Sequence, residues 1–115
     1  MGGTGVVPAI AMSRAARHAG RPDLVRIAAV GNSPDKLPYN DELKKFGATM
    51  TYTRHDTGLR PPGPPTADEL APLLEGIKLA YVCGSSRFAG LAEALLIECG
   101  LRRDAIRVEQ FGPTV

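Results

Sequence analysis

The chain alternates between helical patterns and short apolar segments along its 115 residues. Helical spacing or alanine-rich composition indicates helices near 9–19, 41–46, 66–74 and 88–99, and a run of strand-forming residues follows each of them. Those four runs cover residues 24–30, 49–53, 79–83 and 107–111. Helices that alternate with strands on this scale are typical of an α/β sheet whose strands are mostly parallel. We therefore predict one α/β domain that spans residues 1–115.

The first helix follows a glycine-rich turn, Gly2 to Pro8, at the start of the sequence. In a doubly wound sheet, such a turn connects the carboxyl end of a strand to the N-terminus of a helix. Pro8 suits the first helical turn, because its missing N–H would have no partner there. No strand pattern precedes Gly2, so we expect this sheet to lack its first strand.

Composition argues against several classes of function. Fourteen basic and twelve acidic residues give a net charge of +2, which argues against a strongly basic nucleic-acid module. Cys83 and Cys99 have no metal-ligand spacing, so we predict no metal site and a reducing, cytoplasmic location. The longest apolar run, Val6 to Met12, is too short to cross a bilayer, so we predict no membrane insertion.

Two glycine turns carry the chemistry that the sequence suggests. Gly2 to Pro8 precedes the first helix, and Cys83-Gly84-Ser85-Ser86 ends an apolar strand. Glycine lets backbone N–H groups approach a phosphate closely, and a helix N-terminus adds a favourable dipole. Both turns should lie at the carboxyl edge of the sheet, where open α/β sheets bind ligands. The pair therefore predicts a nucleotide site.

Five motifs together resemble the NAD(P)-binding half of the ferredoxin–NADP reductase superfamily, particularly the bacterial flavin reductases. Their order along the chain is the same, and the similarity covers nearly all of it. The motifs are Gly2-Gly3-Thr4-Gly5-Val6-Val7-Pro8, the loop and helix around Ser33-Pro34-Asp35 and Asp41-Glu42-Leu43, Thr53-Arg54, Tyr81-Val82-Cys83-Gly84 and Glu109-Gln110-Phe111-Gly112-Pro113. The resemblance implies a three-layer, mostly parallel sheet of the ferredoxin reductase C-terminal domain type, with the first strand missing.

The resemblance also implies roles at the nicotinamide end of the cofactor. Thr4 and Cys83 match residues that hold the nicotinamide against the flavin, and Glu109 matches a carboxylate near the reaction centre. Gly84 matches a glycine that lets the backbone approach the dinucleotide, and Phe111 lies in the terminal segment that borders the flavin. We expect Thr4, Cys83 and Glu109 to be the catalytic group.

The remaining predicted binding residues belong to the phosphates and the adenosine. The turn that holds the pyrophosphate supplies Gly3, Gly5, Val6 and Pro8, and the second glycine turn adds Ser85. Arg54 matches an arginine that meets the adenosine phosphates, and Ser33 belongs to the matching loop. Asn32 stands where members that prefer NADPH usually have arginine. NADH is therefore a credible cofactor, with Arg54 or Arg60 as possible substitutes at the 2′-phosphate.

The implied function is hydride transfer from NAD(P)H to FAD or FMN. The flavin-binding barrel of the family has no counterpart here, so the flavin is expected on a partner domain or subunit. A ferredoxin or another iron–sulfur protein is a candidate electron acceptor. Two alternatives stay open: a catalytically idle fragment that offers an interaction surface, and a stand-alone nucleotide-binding module.

Several of these residues also have a purely structural interpretation. Cys83 can be a small buried residue at the end of a strand, and Thr4 or Ser85 can simply cap a helix. Glu109 can be a surface carboxylate, and Phe111 can belong to the core. The structure of the sheet edge decides among these interpretations wherever it describes the side chain.

Overall fold

The computed structural model describes residues 1–110, apart from the side chains at positions 3 and 4. Helices and strands alternate through this range, with short 3₁₀ turns between them. The helices are α1 (Val7–His18), α2 (Asn40–Lys45), α3 (Ala67–Leu70) and α4 (Ser86–Glu98). The strands are β1 (Ala28–Gly31), β2 (Thr49–Tyr52), β3 (Ala80–Gly84) and β4 (Ile106–Gln110).

The strands form two parallel pairs. β1 pairs with β2, with Ala28 opposite Thr49, and β3 pairs with β4, with Ala80 opposite Ile106. Parallel neighbours need a crossover connection between them, and α2 and α4 lie in the two crossovers. The predicted α/β class and the predicted parallel pairing are therefore confirmed.

Met1 and Gly2 join the two strand pairs. The Met1 carbonyl accepts a hydrogen bond from the Val30 N–H at 2.9 Å, and the Gly2 N–H donates to the Cys83 carbonyl at 2.9 Å. Gly2 and Val30 form a parallel bridge. These two residues thus lie where the end of a central strand would lie, and the spatial order is β2, β1, Met1–Gly2, β3, β4. The sequence pattern predicted only a turn at this position.

Element boundaries differ from the predicted ones mainly before β1. The predicted strand over residues 24–30 begins only at Ala28, and a 3₁₀ turn covers Pro22–Leu24. The Arg26 guanidinium donates to the carbonyls of Leu73 and Glu75 at 3.0 and 2.5 Å, so this segment contacts the connection between β2 and β3. By contrast, the predicted capping box of Thr66 and Glu69 at the start of α3 is confirmed.

Two separate clusters of buried side chains form the core. The first lies between α1, β1, β2 and α2, and it consists of Val6, Ala9, Ile10, Ile27, Ala29, Leu37, Leu43 and Tyr52. The second lies between β3, β4 and α4, and it consists of Val82, Ala89, Leu96 and Ile106. Each strand pair therefore buries its own apolar surface.

Candidate nucleotide-binding site

The carboxyl ends of all four strands lie at one edge of the molecule. The strands of each pair are parallel, and Gly2 bridges to Val30 near the end of β1 and bonds to Cys83 near the end of β3. The 3₁₀ turn Gly3–Val6 leads from this edge into α1, and Ser85 leads from β3 into α4. The chain order changes side here: β1 and β2 lie on one side of Met1–Gly2, and β3 and β4 lie on the other. This point is a topological switch, the position at which open α/β sheets form their ligand crevice.

The glycines of both turns are required by contacts inside the protein. A Cβ atom at Gly5 would lie 2.6 Å from the Cys83 carbonyl oxygen. A Cβ at Gly2 or Gly84 would lie 2.7 or 2.5 Å from the Phe88 ring. The glycines thus let the two turns and one aromatic ring pack together at the switch point. Sequence reasoning assigned these glycines to a ligand and missed Phe88, although its place in the first turn of α4 was a usable signal.

The two helix N-termini at the switch point differ in how they are capped. The Ser85 hydroxyl accepts a hydrogen bond from the Phe88 N–H at 3.2 Å, so Ser85 is the N-cap of α4. Val6 stands at the N-cap of α1 and has no side-chain acceptor, and no acidic residue lies in the first turn of that helix. α1 continues the 3₁₀ turn Gly3–Val6, whose own N-cap, Gly2, also lacks a side-chain acceptor. The start of this turn is therefore the uncapped end that suits an external anion.

Cys83 lies beneath the edge and not on it. Its side chain is 2% exposed, and burial raises the pKa of the thiol, as does the carboxylate of Glu109, its register partner on β4, while the Met1 amino group lowers it. A thiol with a raised pKa stays protonated at neutral pH, so it is a poor nucleophile. Glu109 itself is exposed. The structural interpretation of Cys83, a small buried residue at a strand end, is the one that its burial supports.

A second group of predicted residues lies where β1 and β2 end. The Arg54 N–H donates to the Asn32 carbonyl at 2.9 Å, and the Thr53 hydroxyl donates to Asn32 Oδ1 at 2.9 Å. The Ser33 hydroxyl donates to Asp35, and this hydrogen bond is the main cause of the lowered pKa of that carboxyl. Asn32 and Arg54 are both exposed, and the backbone hydrogen bond between them brings an amide-bearing and a guanidinium-bearing residue together at the edge.

Arg60 is already engaged elsewhere. Its guanidinium contacts the Glu69 carboxylate at 2.6 Å and donates to the carbonyls of Gly63 and Pro64. These contacts hold the proline-rich loop against the start of α3. Of the two arginines predicted to compensate for Asn32, Arg54 is the exposed one, and its backbone bonds to Asn32.

The structure thus gathers most of the predicted site residues along one edge. Gly3, Gly5, Val6, Pro8, Gly84 and Ser85 surround the switch point, Asn32, Ser33 and Arg54 lie on one flank, and Glu109 lies on the other. The prediction for Phe111 and the one for the Thr4 side chain lie outside the described residues.

A scan against protein-family models and a search of curated proteins found no match for this chain. Among the described residues, no helix is long and apolar enough to cross a membrane. Within residues 1–110, no three His, Cys, Asp or Glu side chains come together as metal ligands would.

Proposed function

We propose that the chain is the NAD(P)H-binding half of a flavin-dependent oxidoreductase. The observation that carries the proposal is the 2.9 Å hydrogen bond from the Gly2 N–H to the Cys83 carbonyl, which joins two glycine turns at a topological switch point. α1 and α4 both begin there, and α1 begins without a side-chain cap. Convergent helix N-termini at such a point favour the binding of a dinucleotide pyrophosphate.

The residues of the edge fit the phosphate-bearing part of the cofactor. The 3₁₀ turn that leads into α1 would offer backbone N–H groups to the pyrophosphate, and the exposed Arg54 would supply a cation for the adenosine phosphate. Asn32, beside it, is uncharged and favours the 2′-hydroxyl of NADH over the 2′-phosphate of NADPH. This part of the proposal predicts NADH as the preferred ligand.

The fit is poorer for the nicotinamide. Cys83 is buried and its turn is filled by Phe88, so the nicotinamide would lie over backbone at Gly84 and near the exposed Glu109, and not against the thiol. Bound NAD(P)H would supply a hydride to a flavin that a partner domain holds, with an iron–sulfur protein as onward acceptor. The role of this chain is to hold and orient the dinucleotide.

Isothermal titration with NADH, NADPH and 2′-phospho-AMP tests the proposal. NADH should bind, and Arg54→Ala should weaken its binding about tenfold, the loss of one charge-assisted hydrogen bond. Lys78→Ala removes a cation just before β3, at the opposite edge of the sheet, and should leave NADH binding unchanged. Absence of binding to all three ligands would sink the assignment.

The burial of Cys83 favours a second candidate, a nucleotide-binding module without redox chemistry. Adding a flavin reductase barrel domain as a separate chain separates the two. Reduction of a dye by NADH, seen only when both chains are present, supports the oxidoreductase half. Binding of NADH without dye reduction supports the module.

A further inference from the structure

Asn32 and Thr53 directly follow β1 and β2, so both lie at the edge of the sheet that holds the candidate site. The Thr53 hydroxyl donates a hydrogen bond to Asn32 Oδ1 at 2.9 Å. Thr53 is itself held in place, because its backbone N–H donates to the Gly31 carbonyl at 2.8 Å. The exposed Asn32 side chain is therefore tied to a half-buried residue of the neighbouring strand end.

The bond from Thr53 decides which part of the Asn32 amide faces a ligand. An asparagine side chain has one acceptor, Oδ1, and two N–H donors on Nδ2. Threonine is β-branched, so its hydroxyl has few orientations and is a stiff anchor for Oδ1. Since Oδ1 faces Thr53, Nδ2 points away from it on the exposed side chain. The edge thus presents an oriented, uncharged N–H donor at position 32.

An N–H donor and a carboxylate at this position would select different ligands. A carboxylate accepts a hydrogen bond from the 2′-hydroxyl of the adenosine ribose and repels a 2′-phosphate. An N–H donor bonds an oxygen atom of either group. Asn32 is uncharged and the exposed Arg54 beside Thr53 is a cation, so neither residue repels the 2′-phosphate.

We propose that Thr53 is a positioning residue that holds the Asn32 amide as a donor to the adenosine ribose, and that the site consequently accepts both NADH and NADPH. This inference rests on the proposed function, because it concerns the adenosine end of the same dinucleotide. It limits the preference for NADH to about threefold, since strong discrimination between two ligands needs an element that repels one of them.

Isothermal titration of the 115-residue chain with NADH and with NADPH measures the two dissociation constants whose ratio tests the proposal. In the wild-type chain the constants should differ by about threefold or less. Asn32→Asp keeps the shape of the side chain and replaces the donor with a carboxylate. This variant should raise the ratio of the NADPH constant to the NADH constant by about tenfold or more.

Thr53→Val keeps the shape of the side chain and removes the hydroxyl, so the Asn32 amide is free to rotate. Both dissociation constants should rise about threefold, the loss of one oriented hydrogen bond. Thr53→Ser keeps the hydroxyl and should bind as the wild-type chain does. When Asn32→Ala is present, adding Thr53→Val should cause no further loss, because Thr53 acts through Asn32.

Thr49→Val is the matched control. Thr49 lies on the same strand with the same partial burial, at the opposite end of β2 from the candidate site. Its substitution should leave both dissociation constants unchanged. The thermal midpoint of every variant is measured in parallel, so that a loss of stability is not mistaken for a loss of ligand contact.

The outcomes distinguish this inference from the proposed function. Failure of the wild-type chain to bind either nucleotide would overturn both. If the nucleotides bind, a wild-type preference for NADH above about tenfold would show that a carboxylate such as that of Asp35 faces the 2′ position, and it would overturn this inference alone. Equal binding by Thr53→Val and Thr49→Val, or a loss with Thr53→Ser as large as with Thr53→Val, would do the same.

Discussion

The two strand pairs have the same topology and differ in how completely they bury their own residues. The pair β1–β2 packs against α1 and α2 around a cluster of eight buried residues, which includes the fully buried Leu43. The pair β3–β4 packs against α4 around four, and Leu96 is its longest aliphatic side chain. On the side of the second pair, Tyr81 of β3 and Leu91 of α4 remain 49% and 42% exposed, and both line an apolar cavity of about 390 Å³ between β1 and β3.

The difference arises at the centre of the sheet. A central parallel strand is buried on both faces, so its neighbours develop apolar surface to cover it. Within residues 1–110, only Met1 and Gly2 lie in that position, and side chains of β3 and α4 line an apolar cavity beside them. The first pair borders the same cavity through Ala28 and Val30, but it has the larger buried cluster. The second pair is therefore the less completely buried of the two.

The largest expected effect compares Leu43→Ala with Leu96→Ala. Leu43 is fully buried, whereas Leu96 is 9% exposed and lines the apolar cavity between β1 and β3, where neighbouring side chains have room to relax. We expect Leu43→Ala to lower the free energy of unfolding by about 4 kcal/mol and Leu96→Ala by about 2 kcal/mol. Urea denaturation measures both. Equal losses would show that the two cores are equally well packed.

The next effect concerns pH and the boundary between the halves. The Met1 amino group has a pKa of about 6 in the folded protein and 8.0 as its ordinary value, so between these values the unfolded chain binds more protons. Stability should therefore rise with pH from 6 to 8, by about 2 kcal/mol, and be constant with respect to this group outside that window.

Acetylation of the Met1 amino group provides the control for this pH dependence. It removes the titrating charge, so the rise between pH 6 and 8 should disappear when stability is followed by thermal denaturation in a pH series. A rise of the same size in the acetylated chain would assign the effect to other groups.

The smallest effects come from two glycine substitutions near α4. Gly2→Ala places a methyl group 2.7 Å from the Phe88 ring and should destabilise the protein by about 1–2 kcal/mol. Gly90→Ala is the matched control in the middle of α4, where a Cβ meets nothing within 4 Å. It should stabilise the protein by about 0.8 kcal/mol through helix propensity. Combining Gly2→Ala with Phe88→Ala should cost less than the sum of the two single changes.

Local patterns predicted the elements well. The spacing of Phe88, Leu96 and Cys99 indicated α4, and Thr66 with Glu69 indicated the start of α3, because such signals depend on near neighbours in the sequence. Such local patterns could not predict contacts between residues that are distant in the sequence. Arg26 interrupts an apolar run because its guanidinium donates to a carbonyl in the connection between β2 and β3. Gly2 forms a bridge with Val30, and no sequence periodicity predicts that contact.

The candidate site was predictable to a similar degree. Glycine turns at strand ends placed the edge residues together, as the topology of parallel strands requires. The sequence could not show that the Phe88 ring packs where a Cβ of Gly2 or Gly84 would lie, or that Cys83 points inward. Both depend on which face of β3 the chain buries, and one apolar run does not specify that face.

The bond between Gly2 and Cys83 also has a kinetic consequence. It joins residues 2 and 83, which lie 81 positions apart, whereas each strand pair forms through a much shorter crossover. Closing the longer loop costs more chain entropy, and contacts of high sequence separation slow folding. We therefore expect the two halves to collapse first and their joining at the glycine turns to limit the rate, so that the edge with these turns is the last part of the molecule to form.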